Sequence, residues 1–433
     1  MSPTTIPELS TMLQTLLMEE ATRLGRASGF IQRERKLNGA SFAQSLVFGW
    51  QANPQASLEE LCQSAAICGV QISPQGLQER LNSPRAAWFM QQLLEHSLSY
   101  LVTAAPVALP GLARFTGIYV QDSTTISLPP SFIAQWRASG NQHVPRAGLK
   151  VQTVFNYQDG RLQVRLAPAV AHDCSLQTTA LPAGSLRLAD VGYFKVSVFE
   201  SLNHQSVWWL TRLPASVRVW QDEQLLPLAT WLHQSASSTG VDQPVQLTSH
   251  RLACRLLAYR VPPEVAARRR AEVEADARRR SHRVRPETLA LCDWLVLATN
   301  LPPKALTLTE ASVLLRLRWQ IELLFKLWKQ TLALDTWRSQ QPGRILTEVF
   351  AKLLLAVIQH WLVLVGCWGE TDRSLVKAAL TLRKHALHLA AVLPHFPALV
   401  AALQTILPTL KRCTIQKRKA RPATFQLLER AFA

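Results

Sequence analysis

Three acids and two cations in this chain have the types and spacing that could do chemistry. Asp122 closes the short apolar run 117–122, Asp190 closes the run 185–190, and Glu322 lies within residues 314–329, whose apolar spacing predicts a helix. At about 100° per residue, Arg318 falls about 40° from Glu322 on the helical wheel and Lys329 about 20°. One face of that helix therefore carries an acid with a cation one turn before it and another two turns after it. Solvent-exposed salt bridges are the ordinary reading of such a face. Ile321, Leu323, Leu324, Phe325, Leu327 and Trp328 argue against it, because they make most of the circumference apolar. Carboxylates offer oxygen ligands only, a set that selects Mg²⁺ or Mn²⁺ over zinc.

The elements that must position these residues change in texture along the chain. The first hundred residues have helical periodicity. Residues 7–24 and 40–50 read as helices, and Ser57 with Glu60 is a capping box before a third. Ser73 followed by Pro74 caps a fourth, so that two short helices meet at a turn containing Gly69. That is a helix-turn-helix pattern, although the second helix is poor in the side chains that read base edges. From Gly111 strands take over. Residues 149–157 and 162–166 alternate around the Asp159-Gly160 turn, which is a hairpin signal. Further strands are expected at 207–212, 252–259 and 294–300. Residues 268–285 are rich in Arg and Glu and read as a solvated charged helix or a phosphate-contacting element. From Ala311 the chain is helical again and closes on basic residues at 411–412 and 417–421.

Composition bounds the class of function. The chain has 433 residues, 48% of them hydrophobic, with 47 Lys and Arg against 29 Asp and Glu, a net charge of +18. Such a chain folds, in several units, and its charge excess asks for a polyanionic partner, most often nucleic acid. Seven scattered cysteines without a CxxC pair are the usage of a reducing cytosol. The N-terminal residues lack the pattern of a signal peptide, so export is not expected. Residues 350–368 approach the length of a bilayer span, yet Lys352, Gln359 and His360 interrupt them, which favours a buried bundle helix. Neither an HExxH pair nor a Walker glycine loop is present, which leaves a zinc hydrolase and a nucleotide hydrolase without support. His172-Asp173 reads as a surface histidine and a turn-capping aspartate.

At the helix of Glu322 the sequence resembles the bacterial DDE transposases of the insertion-sequence-four group, members of the RNase H-like integrase superfamily. Their signature helix carries Tyr, two residues, Arg, three residues, Glu, six residues, Lys. Arg318, Glu322 and Lys329 fall at that spacing, and Leu315 takes the tyrosine position. Thr299-Asn300-Leu301-Pro302 is similar to the strand exit that precedes this helix, Asp122-Ser123-Thr124 to the first aspartate motif, and Ala189-Asp190-Val191-Gly192-Tyr193-Phe194 to the second. The resemblance spans roughly residues 30–350.

What it implies is an α/β fold: an RNase H-like mixed-sheet catalytic core, an all-helical N-terminal domain, a β-rich insertion between the second Asp and the Glu, and a helical C-terminal tail. The expected layout is a DNA-binding domain at 1–110, core at 111–199, insertion at 200–290, core with the Glu helix at 291–345, and the helical region at 346–433. Asp122, Asp190 and Glu322 would be catalytic and hold two Mg²⁺ ions, Mn²⁺ being able to substitute. Arg318, Lys326 and Lys329 would bind DNA phosphates, tasks suited to a guanidinium fork and to ammonium point charges. The activity implied is cut-and-paste transposition on double-stranded DNA, with terminal inverted repeats and target DNA as partners. A homodimer on paired ends and a cytoplasmic, nucleoid-associated location go with it. The 131 residues between Asp190 and Glu322 leave room for the insertion. Trp208, Trp209, Trp220 and Trp231 lie there as possible stacking surfaces for a flipped base, with core packing the default for each. Two rivals remain: a catalytically inactive, domesticated DNA-binding protein, for which Leu315 speaks, and a membrane-surface protein built around residues 350–368.

Overall fold

The computed structural model describes residues 2–33, 37–141, 144–172, 180–237, 240–416 and 422–432. Asp173, Cys174 and the basic residues 417–421 lie outside them. In chain order the elements are α1 (Ile6–Gln14), α2 (Ala21–Ala27), α3 (Gly39–Ala52), α4 (Leu58–Ile67), α5 (Pro74–Asn82), α6 (Pro84–Ser97), β1 (Ile118–Leu128), β2 (Arg137–Asn141), β3 (Val144–Asn156), β4 (Leu162–Pro168), β5 (Leu186–Ala189), α7 (Val196–His204) and β6 (Trp208–Arg212). Then follow β7 (Arg218–Gln221), β8 (Gln224–Pro227), α8 (Leu228–Ser235), β9 (Val241–Leu247), β10 (Leu252–Arg260), α9 (Pro263–Arg279), α10 (Pro286–Ala290) and β11 (Trp294–Thr299). The helices that follow are α11 (Leu308–Leu314), α12 (Arg318–Thr331), α13 (Pro342–Cys367), α14 (Leu375–Lys384), α15 (Ala386–Val392), α16 (Phe396–Leu410) and the short α17 (Thr424–Ala431).

These elements form two compact units that do not follow chain order. The first comprises Met1–Ala108, Ser123–Ala171 and Gln320–Arg421; the second comprises Leu109–Asp122, His172–Trp319 and Pro422–Ala433. The chain passes between them inside β1 and again inside α12.

The first unit is built around α13, which packs against α6, α3, α16 and α5. It is the one helix among the described residues long and apolar enough to cross a membrane, and 94% of its most apolar window is buried within the fold. That matches the expected bundle helix. Lys352, only 1% exposed, is accommodated there because Glu348 lies 2.8 Å away and the carbonyls of Ala333 and Thr336 accept from Nζ at 3.0 and 2.9 Å. The N-terminal helices start where the sequence places their caps. Ser57 and Glu60 exchange hydrogen bonds at 2.7 and 3.3 Å, and Ser73 Oγ accepts from the Gly76 amide. The hairpin is present as β3 and β4, in antiparallel register from Leu149↔Pro168 to Phe155↔Leu162. Gly160 closes its turn at φ 75°, a left-handed conformation that glycine adopts without strain.

The second unit holds a mixed sheet. The start of β1 pairs with β5 in parallel, and β5 with β6 in parallel, α7 supplying the crossover. The rest is antiparallel: β6 with β11, β11 with β10, β10 with β9, then β7 and β8. Residues 200–290 are thus strand-rich but also contain α8 and α9. The charged stretch forms α9, whose exposed Arg268–Glu272 and Arg278–Glu274 pairs make it mostly a solvated helix. Arg269 and Arg270 instead reach inward, to the Trp294 carbonyl and the Asp293 carboxylate.

Candidate active site

Register places the two aspartates. Gln121 pairs with Ala189 at the last rung of the β1–β5 ladder, and Ala189 pairs with Thr211 of β6. All three are buried, so the next residue on each strand turns to the opposite face. Those residues are Asp122, Asp190 and Arg212, in one row where the parallel ladder of the three strands ends. That end of an open α/β sheet is where ligands usually bind. β1 does not stop at Asp122 as the sequence suggests. It runs on to Leu128 because Thr124, Ile126 and Leu128 alternate into a core, so Asp122 sits mid-strand. Asp190 directly follows the last residue of β5 and leads into a 3-10 turn at Val191–Tyr193.

Arg318 completes the cluster in this unit. Its Nη1 lies 3.6 Å from Asp122 Oδ2, and its Nε 3.9 Å from Asp190 Oδ1. The guanidinium side chain is only 12% exposed, Asp122 20% and Asp190 44%, so the group opens toward solvent on the Asp190 side. Both distances exceed a hydrogen bond. Helix 314–329, expected to be continuous, is interrupted just before this residue. α11 ends at Leu314, a 3-10 turn spans Leu315–Leu317, and α12 begins at Arg318. Leu315, in place of the tyrosine, is buried in that turn.

Two supports were not legible in the sequence. Arg187, buried on β5, donates to Gln121 Oε1 from Nε and Nη2 at 3.0 and 2.7 Å, tying the two aspartate-bearing strands one residue before Asp122. Arg212 is half-buried; burial first, and then the Arg269 guanidinium, lowers its pKa, while Asp190 acts in the other direction and Arg318 repels it. The only sequence signal for Arg212 is its position at the end of a strand. The phrase 299–302 proves to be a splice: Thr299 Oγ1 donates to the Trp209 carbonyl, and Asn300 Oδ1 accepts from the Trp209 amide.

Glu322, Lys326 and Lys329 are carried by α12 in the first unit. Glu322 is partly exposed, Lys326 exposed, and Lys329 Nζ donates to the Thr125 carbonyl at 3.0 Å. The structure therefore brings Asp122, Asp190 and Arg318 together within one unit. Among the described residues, no group of three or more His, Cys, Asp and Glu side chains could hold a metal ion. The Asp122 and Asp190 pair still fits a hard cation by its chemistry. It is an all-oxygen donor pair, and a guanidinium already sits as a stand-in positive charge between the two carboxylates. Of the four tryptophans, Trp209 and Trp231 are buried in the core. Trp220 donates to the Thr248 carbonyl beneath the Arg251 guanidinium, and Trp208 is half-buried on β6.

Comparison with known proteins shows the family. The chain is similar to the transposase for insertion sequence element IS231C of Bacillus thuringiensis subsp. berliner, 24% identical over 376 residues that cover 81% of this chain and 78% of the relative. It is similar to the transposase for IS421 of Escherichia coli, 26% identical over 352 residues, 78% of this chain and 89% of the relative. The transposase for IS1151 of Clostridium perfringens is 20% identical over 370 residues, 80% of this chain and 78% of that protein. The family model described as the transposase DDE domain matches residues 113–358, more than half the chain, and so this chain belongs to the DDE transposases of bacterial insertion sequences.

Proposed function

We propose that Asp122, Asp190 and Glu322 form the ion-holding acids of a transposase that binds the ends of its element, cuts them and joins them to target DNA. That the chain is a DNA transposase, an enzyme acting on DNA by divalent-metal chemistry, follows from its family. The observation that carries the residue assignment is the convergence of Asp122 and Asp190 on one cationic group, just past the last rung of the parallel β1–β5 ladder. Glu322 supplies the third carboxylate. Bound there, divalent ions supply charge neutralisation for the attacking and leaving oxygens of an in-line displacement. Two Mg²⁺ ions suit the oxygen-only set, with Mn²⁺ as a substitute.

The protein's own part is positional. Arg187 and Gln121 hold β1 and β5 in register, so the two carboxylates stay side by side. Arg318 binds a backbone phosphate next to the cut, and Lys326 and Lys329 bind further phosphates along the same helix. Water is the nucleophile for cleavage and the freed 3′-hydroxyl for strand transfer. We extend the reading to an RNase H-like core over 111–199 and 291–345, a DNA-binding helical domain at 1–110, an insertion at 200–290 and a helical region at 346–433. A homodimer on paired DNA ends, acting at the nucleoid in the cytoplasm, completes it. No observation favours the inactive alternative, and Leu315 is accounted for as a core residue.

The test is cleavage of a duplex bearing the inverted repeats that flank the gene. Asp122→Ala, Asp190→Ala and Glu322→Ala each abolish metal-dependent cutting while leaving binding intact in a gel shift. Full cutting by any of the three would sink the assignment.

A further inference from the structure

The positive charge between Asp122 and Asp190 is supplied by Arg318, the residue read above as a phosphate ligand. One guanidinium cannot serve both sites at once. Its Nη1 and Nε are 3.6 and 3.9 Å from the two carboxylates, so it shares their space without the tight geometry of a bidentate pair. Arg212, in the same row of the sheet, adds a like charge that repels Arg318 from its seat. The residue also stands at the junction of the 3-10 turn Leu315–Leu317 with α12, and such a change of helix type is a common hinge.

We propose that Arg318 is an internal counter-cation for the Asp122 and Asp190 carboxylates, so that a divalent ion and the guanidinium compete for them. The ion then enters fully only as Arg318 is drawn off to a DNA phosphate. This couples ion loading to engagement of DNA and keeps the free enzyme poorly charged with metal. It rests on the reading of Asp122 and Asp190 as ion ligands. By linkage the coupling is reciprocal, so ion binding also frees Arg318 for DNA.

Mn²⁺ binding to the full chain without DNA, followed by electron paramagnetic resonance, tests it apart from activity. Arg318→Gln binds Mn²⁺ about tenfold or more tightly than the unaltered chain, since a unit positive charge leaves the immediate neighbourhood of the ion. Arg212→Gln, which removes a nearby charge that does not sit between the acids, has a clearly smaller effect. Adding Asp190→Asn to Arg318→Gln removes the tight site. If circular dichroism shows that Arg318→Gln is unfolded, Arg318→Met, which keeps the apolar stem, takes its place. Equal Mn²⁺ affinity in the unaltered and Arg318 variants, with the Asp190 dependence retained, would overturn the competition and leave the carboxylate assignment standing. Equal gains from Arg212→Gln and Arg318→Gln would reduce it to a general field effect and overturn it too. Mn²⁺ binding indifferent to Asp122→Asn and Asp190→Asn would overturn both the assignment and the inference.

Discussion

Lys352 and Arg318 are both cations with little exposure set beside carboxylates, and the chain treats them in opposite ways. Lys352, on α13 of the first unit, is held by Glu348 at 2.8 Å and by two carbonyls, with the Trp50 ring 5.8 Å from Nζ. Every proton of its ammonium has an oxygen. Arg318, in the second unit, lies 3.6 and 3.9 Å from its two aspartates, and Asp190 is 44% exposed. A buried pair must be fully satisfied, because an unpaired charge in a dry interior costs several kcal/mol. A half-open pair is cheap to separate. The first arrangement is closed off from water, and the second opens to solvent on its Asp190 side.

The largest effects are expected at the aspartates. Asp122→Asn or Asp190→Asn removes a charged oxygen ligand at nearly constant shape, and the cleavage rate on a cognate end is expected to fall by about a thousandfold or more, with thermal stability little changed. A large loss of stability would mean that this pair is structural like the other. Glu348→Ala is the converse. It strands the Lys352 ammonium in the core, where burial already lowers its pKa, and costs about 3–5 kcal/mol in urea unfolding. Cleavage measured well below the melting point stays close to normal.

His360 sharpens the same contrast through pH. It is buried in the first unit with Nε2 donating to the Gly160 carbonyl at 2.7 Å, and burial pushes its pKa down to about 4. The folded chain holds this ring neutral while the unfolded chain protonates it near 6.5. Stability is therefore retained above about pH 6.5 and lost as pH falls toward 4, by roughly 3 kcal/mol in all. His360→Gln flattens that part of the pH profile; an unchanged slope would show that other groups carry it. The smallest effect belongs to Lys326. It is exposed on α12, and Lys326→Gln lowers the slope of log affinity for duplex DNA against log salt by about one, without altering sequence preference.

Local signals were read well from the sequence because each is settled within a few residues. The Ser57 and Glu60 box, the Pro74 helix start, the Asp159-Gly160 hairpin and the strand ending at Ala189 are all of this kind. What escaped depends on pairing across the chain. Residues 123–125 are polar and look like a loop, yet β1 continues through them because Ile126 and Leu128 find a core. The break at Leu315–Leu317 leaves the apolar spacing of α11 and α12 intact, so periodicity cannot reveal it. Arg212 and Arg187 are isolated arginines in strands. Only the parallel register, which sets Asp122, Asp190 and Arg212 in one row, shows what they face. The Arg318, Glu322 and Lys329 spacing is visible in the sequence because helical phase is itself local.

Changing the ligand atom, rather than deleting it, decides whether Asp190 and its neighbours are ion ligands for DNA cleavage. Asp190→Cys offers sulfur, which Mg²⁺ binds poorly and softer divalent ions accept more readily. Cleavage of the cognate end is expected to be lost in Mg²⁺ and to recover in part in Mn²⁺. Cutting at the unaltered rate in Mg²⁺ would contradict the account.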